Sequence, residues 1–287
     1  MKALVTGGAG FIGSHLVDKL VELGHDVLVV DNFSVGNRDN LNSKASLWAE
    51  GEYNFLDFFK WAGYLPDSLD VVFHLAAFSR IQPSFNDAWS AYNTNSTGTV
   101  IALEIAKKYN AKFIYAGSST ACDDVFMNPY AYTKWLGEQH CKLYSKHYEI
   151  STAIARFFNV YGPRQIEKGP FATVMGIFER QYRLKQSLTI TGNGLQRRDF
   201  THVSDIVDAL ITMSKDNYSG TIFNLGTGKN YSMNEVAAMF QTETKYIPKR
   251  PGEAQETLAD LSFTKAMLNW EAKIKLPDYI KKLLANR

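Results

Sequence analysis

The sequence predicts an α/β protein: a doubly wound parallel sheet with a smaller C-terminal lobe. Three observations carry that prediction. The chain opens on a strand, a glycine turn, a helix and a second strand in register, KALVTGGAGFIGSHLVDKLVELGHDVLVVDN. Short continuous apolar runs then alternate with segments of helical period, as strands buried on both faces and their crossover helices do. Near Phe158 the pattern changes, and Gly162-Pro163 turns the chain out of the main sheet. A chain of 287 residues has room for one large domain and a smaller lobe. The expected division is 1–160 for the sheet domain, joined by parts of later segments, and 161–287 for most of the lobe.

The elements follow in order. Ala3-Leu4-Val5 reads as a buried strand, and Gly7, Gly10 and Gly13 follow at three-residue spacing. From Phe11 onward Ile12, Leu16, Val17, Leu20 and Leu23 recur at helical spacing, and Gly24 closes the helix. Val27–Val30 is the second strand, ending at Asp31 and Asn32. This is the context a dinucleotide fingerprint requires. Glycines let the backbone approach a pyrophosphate, and the helix N-terminus offers free N–H groups at the positive end of its dipole. Asp31 stands 18 residues after Gly13. A carboxylate there accepts from both hydroxyls of an adenosine ribose and repels a 2′-phosphate, so NAD is expected over NADP. The expected cofactor wall is Gly7, Gly10, Phe11, Ile12, Gly13, Asp31 and Asn32.

Leu69–Leu75 is the next strand, and Leu75, Ala76 and Ala77 let the chain pass close beneath a cofactor. His74 lies inside this apolar run and reads as a core histidine rather than a base. Asn95–Thr99 leads into the amphipathic helix VIALEIAKKY, and Lys112–Ala116 is the strand after it. That strand delivers YAGSSTACDDVFMNPYAYTK to the C-terminal edge of the sheet, where doubly wound folds bind ligands. Pro129 starts a helix. Tyr130 and Lys134, four apart, share one of its faces, and Tyr132 points away. A phenol with a pKa of about 10 is a poor base at neutral pH, and a nearby ammonium favours the phenolate. Tyr130 is therefore the expected acid–base group and Lys134 its partner.

TGGAGFIGSHL, the HLAA of residues 74–77, the Tyr130/Lys134 pair, RFFNVYGP from Arg156, FNLGTG from Phe223 and RPGE from Arg250 together resemble the extended short-chain dehydrogenase/reductase family, in its group of nucleotide-sugar epimerases and dehydratases. The resemblance runs nearly to the C-terminus and implies a Rossmann-type sheet. Alignment on the family's Ser-rich strand end makes Ser118 the third catalytic residue, with Ser119 and Thr120 as rivals. By the same resemblance Asn54 replaces the aspartate that accepts from the adenine amine, and Asn95 steadies the central helix and stands with the cofactor set. Arg80, Ser119 and Asn159 face the substrate, and Arg198 and Arg250 grip its diphosphate. Two planar guanidinium groups from separate segments suit a pyrophosphate. Leu188–Thr191 and the turn Gly192-Asn193-Gly194 read as a hairpin-like entry to the lobe. Arg197 reads as a surface residue, and His202 and Asp205 as structural, with Ser204 capping the helix that follows.

The activity implied is C4 epimerisation of a nucleotide-diphosphate sugar with retained NAD, through a 4-keto sugar. UDP-glucose or UDP-N-acetylglucosamine is the expected type. A nucleotide-sugar reductase or dehydratase, or a non-catalytic NAD-binding protein, is the alternative. The chain departs from the family at Cys122-Asp123, where Tyr-Gly is usual. Only eleven residues separate Ser118 from Tyr130, about half the common length. Ser119-Thr120 follows Ser118 where dehydratases carry Asp-Glu, which disfavours loss of water. Relatives pair through the helices after Asn95 and Tyr130, so a homodimer is expected.

Composition narrows the partners. A net charge of +2 with Lys and Arg spread along the chain makes no field for nucleic acid or an anionic membrane. The two cysteines, Cys122 and Cys141, have neither zinc-type nor disulfide-framework spacing, so no metal and a reducing cytoplasm are expected. No apolar run has the length of a membrane span, and the first residues read as strand and turn rather than a secretory signal.

Overall fold

The structure, a computed structural model, describes residues 1–49 and 66–285. Asn54 lies outside them. The strands in chain order are β1 (Lys2–Thr6), β2 (Asp26–Val30), β3 (Ser46–Ala49), β4 (Val71–His74), β5 (Lys112–Ser118), β6 (Thr152–Phe157), β7 (Val160–Tyr161), β8 (Leu188–Thr191), β9 (Arg197–Asp199), β10 (Thr201–His202), β11 (Ser219–Leu225), β12 (Asn230–Ser232) and β13 (Thr244–Ile247). The helices are α1 (Phe11–Glu22), α2 (Ile81–Asn86), α3 (Ala88–Tyr92), α4 (Gly98–Tyr109), α5 (Pro129–Tyr148), α6 (Val174–Arg183), α7 (Val203–Met213), α8 (Met233–Met239), α9 (Ser262–Leu268) and α10 (Leu276–Ala285).

Among the described residues seven strands form one sheet in the order β11-β6-β5-β4-β1-β2-β3, and every neighbouring pair is parallel. The order reverses between β1 and β4, the switch point beyond whose strand ends such sheets hold ligands. Both faces are covered, which is why the central strands read as unbroken apolar runs. Leu16, Val17 and Leu20 of α1 and Ile206, Val207 and Leu210 of α7 pack on one face. Ile101, Ala102 and Ile105 of α4 and Cys141 and Tyr144 of α5 pack on the other. A third cluster builds the lobe from Tyr161, Phe178, Leu188, Phe200, Val236, Phe240 and Ile280.

Local signals set the ends of the helices that matter for the site. α1 stops before Gly24, whose φ of +79° is open to glycine at no cost. α5 starts at Pro129 behind Asn128, whose Oδ1 accepts from Ala131 N at 2.7 Å. α3 runs into α4 through a π turn, Asn93–Thr97, that contains Asn95.

Two expectations are corrected. Leu188–Thr191 does not enter a hairpin: β8 pairs in parallel with β13, and Gly192 and Gly194, both at positive φ, swing the chain to β9, which pairs antiparallel with β12. Ser204 does not cap α7. The helix begins at Val203, and His202 caps it, its Nδ1 accepting from Ser204 N at 3.2 Å. A ring nitrogen substitutes there for the usual short oxygen side chain, so the cap is two residues earlier than a Ser signal places it.

Candidate active site

A cavity of about 490 Å³ opens at the switch point. Gly7, Gly10, Phe11, Ile12, Gly13, Asp31, Asn32, Leu75, Ala76 and Ala77 wall one end. Their approach depends on missing side chains. Gly7 has φ +71°, and a Cβ there would stand 2.7 Å from Ala76 N; a Cβ on Gly13 would stand 2.1 Å from Gly7 O. Gly10 starts α1 with no side-chain cap, so no side chain competes for the first-turn N–H groups. Asp31 is locked in place: one carboxylate oxygen accepts from Ala9 N at 2.9 Å and the other from Phe33 N at 2.8 Å. Burial pushes its pKa up, and these N–H groups pull it down. A glycine cradle against a helix N-terminus, with a carboxylate at the tip of β2, fits a dinucleotide with free ribose hydroxyls.

Asn95 acts differently from the cofactor contact expected of it. It is 1% exposed and lies outside the cavity wall. Its Oδ1 accepts from Phe78 N at 2.8 Å, and its Nδ2 donates to Phe78 O at 3.1 Å and Thr133 Oγ1 at 3.0 Å. It pins the loop after Ala77 to α5, because a buried amide must spend all its hydrogen-bonding groups on neighbours.

The middle of the cavity holds Ser118, Ser119, Thr120, Tyr130, Lys134 and Arg80. β5 ends at Ser118, and the first turn of α5 presents Tyr130 opposite. Tyr130 and Ser118 both line the cavity, and Thr120 Oγ1 donates to Ser118 Oγ at 2.9 Å. All three rival hydroxyls line it, and Ser118 is the one that pulls the pKa of the phenol down. Tyr132 points elsewhere, its ring between Phe126 and Trp135 at 5.7 and 5.9 Å.

The electrostatics differ from the expectation. Burial pushes the Tyr130 phenol up, while the Ser118 hydrogen bond and the Arg80 charge pull it down. Arg80 is therefore a cation that acts on the phenol. It reaches in from the loop after Ala77, with Nε donating to Phe171 O at 3.0 Å. Lys134 lies over the Tyr115 ring, 4.3 Å from its centroid, and burial lowers its pKa to about 8 against the pull of Glu138.

Glu138, one helical turn beyond Lys134, was not singled out in the sequence. Its carboxylate is fully buried and takes Arg156 in a two-pronged grip, Nε to Oε1 at 2.8 Å and Nη2 to Oε2 at 2.7 Å. The pair ties α5 to β6. Glu138→Gln leaves the Arg156 charge without its counter-ion in a poorly solvated place, and the expected loss of stability is about 3 kcal/mol, read from the denaturant midpoint. Its sequence signal was the four-residue step Tyr130, Lys134, Glu138 along one helix face.

The far end is lined by Asn159, Arg198, Arg250 and Glu253. Asn159 gives its Nδ2 to Asp199 O at 3.1 Å and Thr257 Oγ1 at 3.2 Å, leaving Oδ1 for other partners. Arg198 Nη1 donates to Arg197 O at 2.8 Å; burial lowers its pKa, and Glu253 and Asp123 oppose that. Asp123 belongs to the shortened segment, which two 3-10 turns fill, Ser119–Cys122 and Val125–Met127. Arg197 is spent on Asn230 and Glu235, away from the cavity. Asp205 Oδ2 accepts from Ile274 N at 3.0 Å, a structural contact. Among the described residues there is no group of His, Cys, Asp and Glu suited to a metal ion, and no helix long and apolar enough to cross a membrane.

His74 is a core residue: its Nδ1 meets Thr6 Oγ1 at 2.8 Å and its Nε2 meets Thr99 Oγ1 at 3.2 Å. Burial first, then Lys134, holds its pKa down to about 3, and burial holds that of His202 to about 4. Both values lie below that of an unfolded histidine, about 6.5. Below that pH the unfolded chain binds protons the folded one refuses, so stability falls as pH drops and levels off only near the folded values. A thermal midpoint that declines from pH 7 to pH 5 is the expected result.

Comparison with known proteins follows the same lines. A family model described as the NAD dependent epimerase/dehydratase family matches residues 3–226. The chain is 35% identical to a protein of Methanocaldococcus jannaschii described as a putative UDP-glucose 4-epimerase, over 98% of this chain and 96% of that one. It superimposes on a UDP-glucose 4-epimerase of Thermotoga maritima, solved with UDP-glucose, with a TM-score of 0.89 at 32% identity, covering 99% of this chain and 98% of that one. A UDP-glucuronic acid 4-epimerase of Bacillus cereus matches with a TM-score of 0.86 at 30% identity, over 99% of this chain and all of that one. It was solved as a Tyr-to-Phe mutant with NAD and UDP-4-deoxy-4-fluoro-glucuronic acid.

Proposed function

Because the chain belongs to the NAD-dependent epimerase/dehydratase family, we propose that it interconverts two nucleotide-diphosphate sugars that differ at C4. The observation that carries this reading is the junction of three things in one cavity: the glycine cradle, Ser118 with Tyr130 and Lys134, and the two arginines. NAD bound in the cradle supplies a hydride acceptor and then a hydride donor.

Tyr130 takes the proton from the sugar C4 hydroxyl as a 4-keto sugar forms, and returns it after the sugar has turned over. Ser118 donates to the oxygen where charge gathers. Arg80 and Ser118 both favour the phenolate, which offsets the cost of burying it. Lys134 stands one turn along the helix to hold the nicotinamide ribose. Arg198 and Arg250 keep the diphosphate in place while the keto sugar presents its other face. Asn159 and Ser119 complete the sugar pocket. Ser119 and Thr120 stand where dehydratases carry Asp-Glu, which disfavours dehydration. The sheet domain, 1–160, holds the cofactor, and 161–287 mostly holds the sugar nucleotide. The enzyme works in the cytoplasm as a homodimer paired through α4 and α5, where Leu143 and Tyr148 of α5 are exposed.

Proton NMR of the purified protein with UDP-glucose, and separately with UDP-N-acetylglucosamine and UDP-glucuronic acid, tests the reading. With no NAD added, a new anomeric signal from the C4 epimer is expected with one of them. Unchanged sugars after NAD is supplied would remove the epimerase reading in favour of a reductase or a binding protein.

A further inference from the structure

Arg250 is carried on a strap, residues 250–253, that is tied back to the helix bearing Tyr130. Gly252 turns the strap with φ +70°, and a Cβ there would stand 2.8 Å from the Phe85 ring, so the strap lies close against α2. Two side-chain amides reach it from the sheet domain. Asn128 Nδ2 donates to Gly252 O at 3.0 Å, and Gln82 Nε2 donates to Pro251 O at 2.8 Å. Asn128 is 5% exposed and also caps α5, its Oδ1 accepting from Ala131 N at 2.7 Å. One amide therefore grips the first turn of the helix that presents Tyr130 and, with its other end, a carbonyl two residues after Arg250 and next to Glu253, both of which line the cavity.

We propose that Asn128 is a positioning residue that couples the diphosphate grip of Arg250 to the placement of Tyr130. The proposal rests on the roles given above to those two residues. A helix cap alone asks only for an acceptor, and Ser, Asp and Asn serve nearly equally well. The donating end of Asn128 is surplus to capping. It spans 124 positions of sequence to a carbonyl in the other lobe. With the tie made, a diphosphate that draws Arg250 inward moves the strap against the N-terminus of α5. Without it the strap and the helix respond separately.

Substitution separates the two ends of the amide. Asn128→Ser keeps a neutral cap and is too short to reach Gly252 O. Asn128→Asp keeps the cap, loses the donor and sets a carboxylate against the carbonyl. For the full chain with NAD, the measurements are the thermal midpoint, the Kd of UDP by calorimetry, and kcat and KM for the nucleotide sugar that is epimerised. Asn128→Ser is expected to hold its midpoint to within about 3 °C, because the cap survives, and Asn128→Asp to lose more, because its carboxylate faces the Gly252 carbonyl. Both are expected to weaken UDP binding about tenfold, as loss of one partly buried hydrogen bond does. kcat should fall as well, which a purely structural cap would not predict. Arg250→Met should cost less UDP affinity in the Asn128→Ser background than in the natural one, the mark of coupled sites. The cycle uses UDP affinity alone, so it decides the coupling even with no sugar turned over.

Unchanged UDP affinity in Asn128→Ser, with the two substitutions additive, would overturn the coupling and leave the epimerase reading intact. An effect in Asn128→Asp but none in Asn128→Ser would assign it to charge and overturn the coupling in the same way. If Arg250→Met leaves UDP affinity unchanged in the natural background, the diphosphate role of Arg250 fails and the coupling with it.

Discussion

Tyr130→Phe is expected to abolish detectable turnover and to leave NAD in place. The substitution removes one oxygen and keeps the ring, so the packing of α5 against β5 is retained. What is lost is the proton path at the sugar C4 hydroxyl. A positioned acid–base group contributes about 10²–10⁴-fold, and kcat is expected to fall by at least the middle of that range. NAD content, measured by absorbance after the protein is unfolded, should match the natural protein, because the cradle of Gly7, Gly10 and Gly13 lies at the other end of the cavity. Turnover that survives the change would mean that another group carries the proton.

Gly13→Ala is expected to strip the protein of its cofactor. The added Cβ would sit 2.1 Å from Gly7 O, 2.8 Å from Gly7 C and 3.0 Å from Gly8 Cα. All three are backbone atoms, so no side chain can swing aside. The turn must open, and opening it moves the N–H groups and the N-terminus of α1 on which a pyrophosphate depends. Overpacking of this kind costs about 1–3 kcal/mol of stability, and NAD affinity is expected to fall by more than about a hundredfold. Gly24→Ala is the control. A Cβ there meets nothing within 4 Å, and its φ of +79° adds only local strain, about 1–2 kcal/mol. That variant should lose some stability and keep its NAD. Equal cofactor loss in both would make general destabilisation, rather than the Gly13 contact, the cause.

The parts of the site that were legible in the sequence are those carried by neighbours in the chain. The opening strand–turn–helix–strand is set by residues a few positions apart, and so is the shared face of Tyr130 and Lys134. Ser118 was legible only to within two residues, since three hydroxyls in a row leave the choice to how the end of β5 turns. The hairpin expected at Leu188–Thr191 failed because the turn residues announce a reversal without naming the strand that follows as a partner; β13 takes that place. The cap of α7 was placed on Ser204 because serine is the commoner signal, while the structure uses a ring nitrogen of His202.

By itself the sequence determined the doubly wound sheet, the glycine cradle with Asp31 at the strand tip, and the helix that presents Tyr130. Each follows from spacing within a turn, a helix or a strand, where backbone geometry fixes the distance between residues. Only the tertiary structure decided that Arg80 pulls on the Tyr130 phenol, that Glu138 holds Arg156, that Asn95 serves Phe78 and Thr133, and that Asn128 reaches Gly252. Those pairs join separate segments, and no local period encodes their distance. They meet because the apolar faces of the helices pack on the sheet in one way, and the buried polar groups left between them must then satisfy one another.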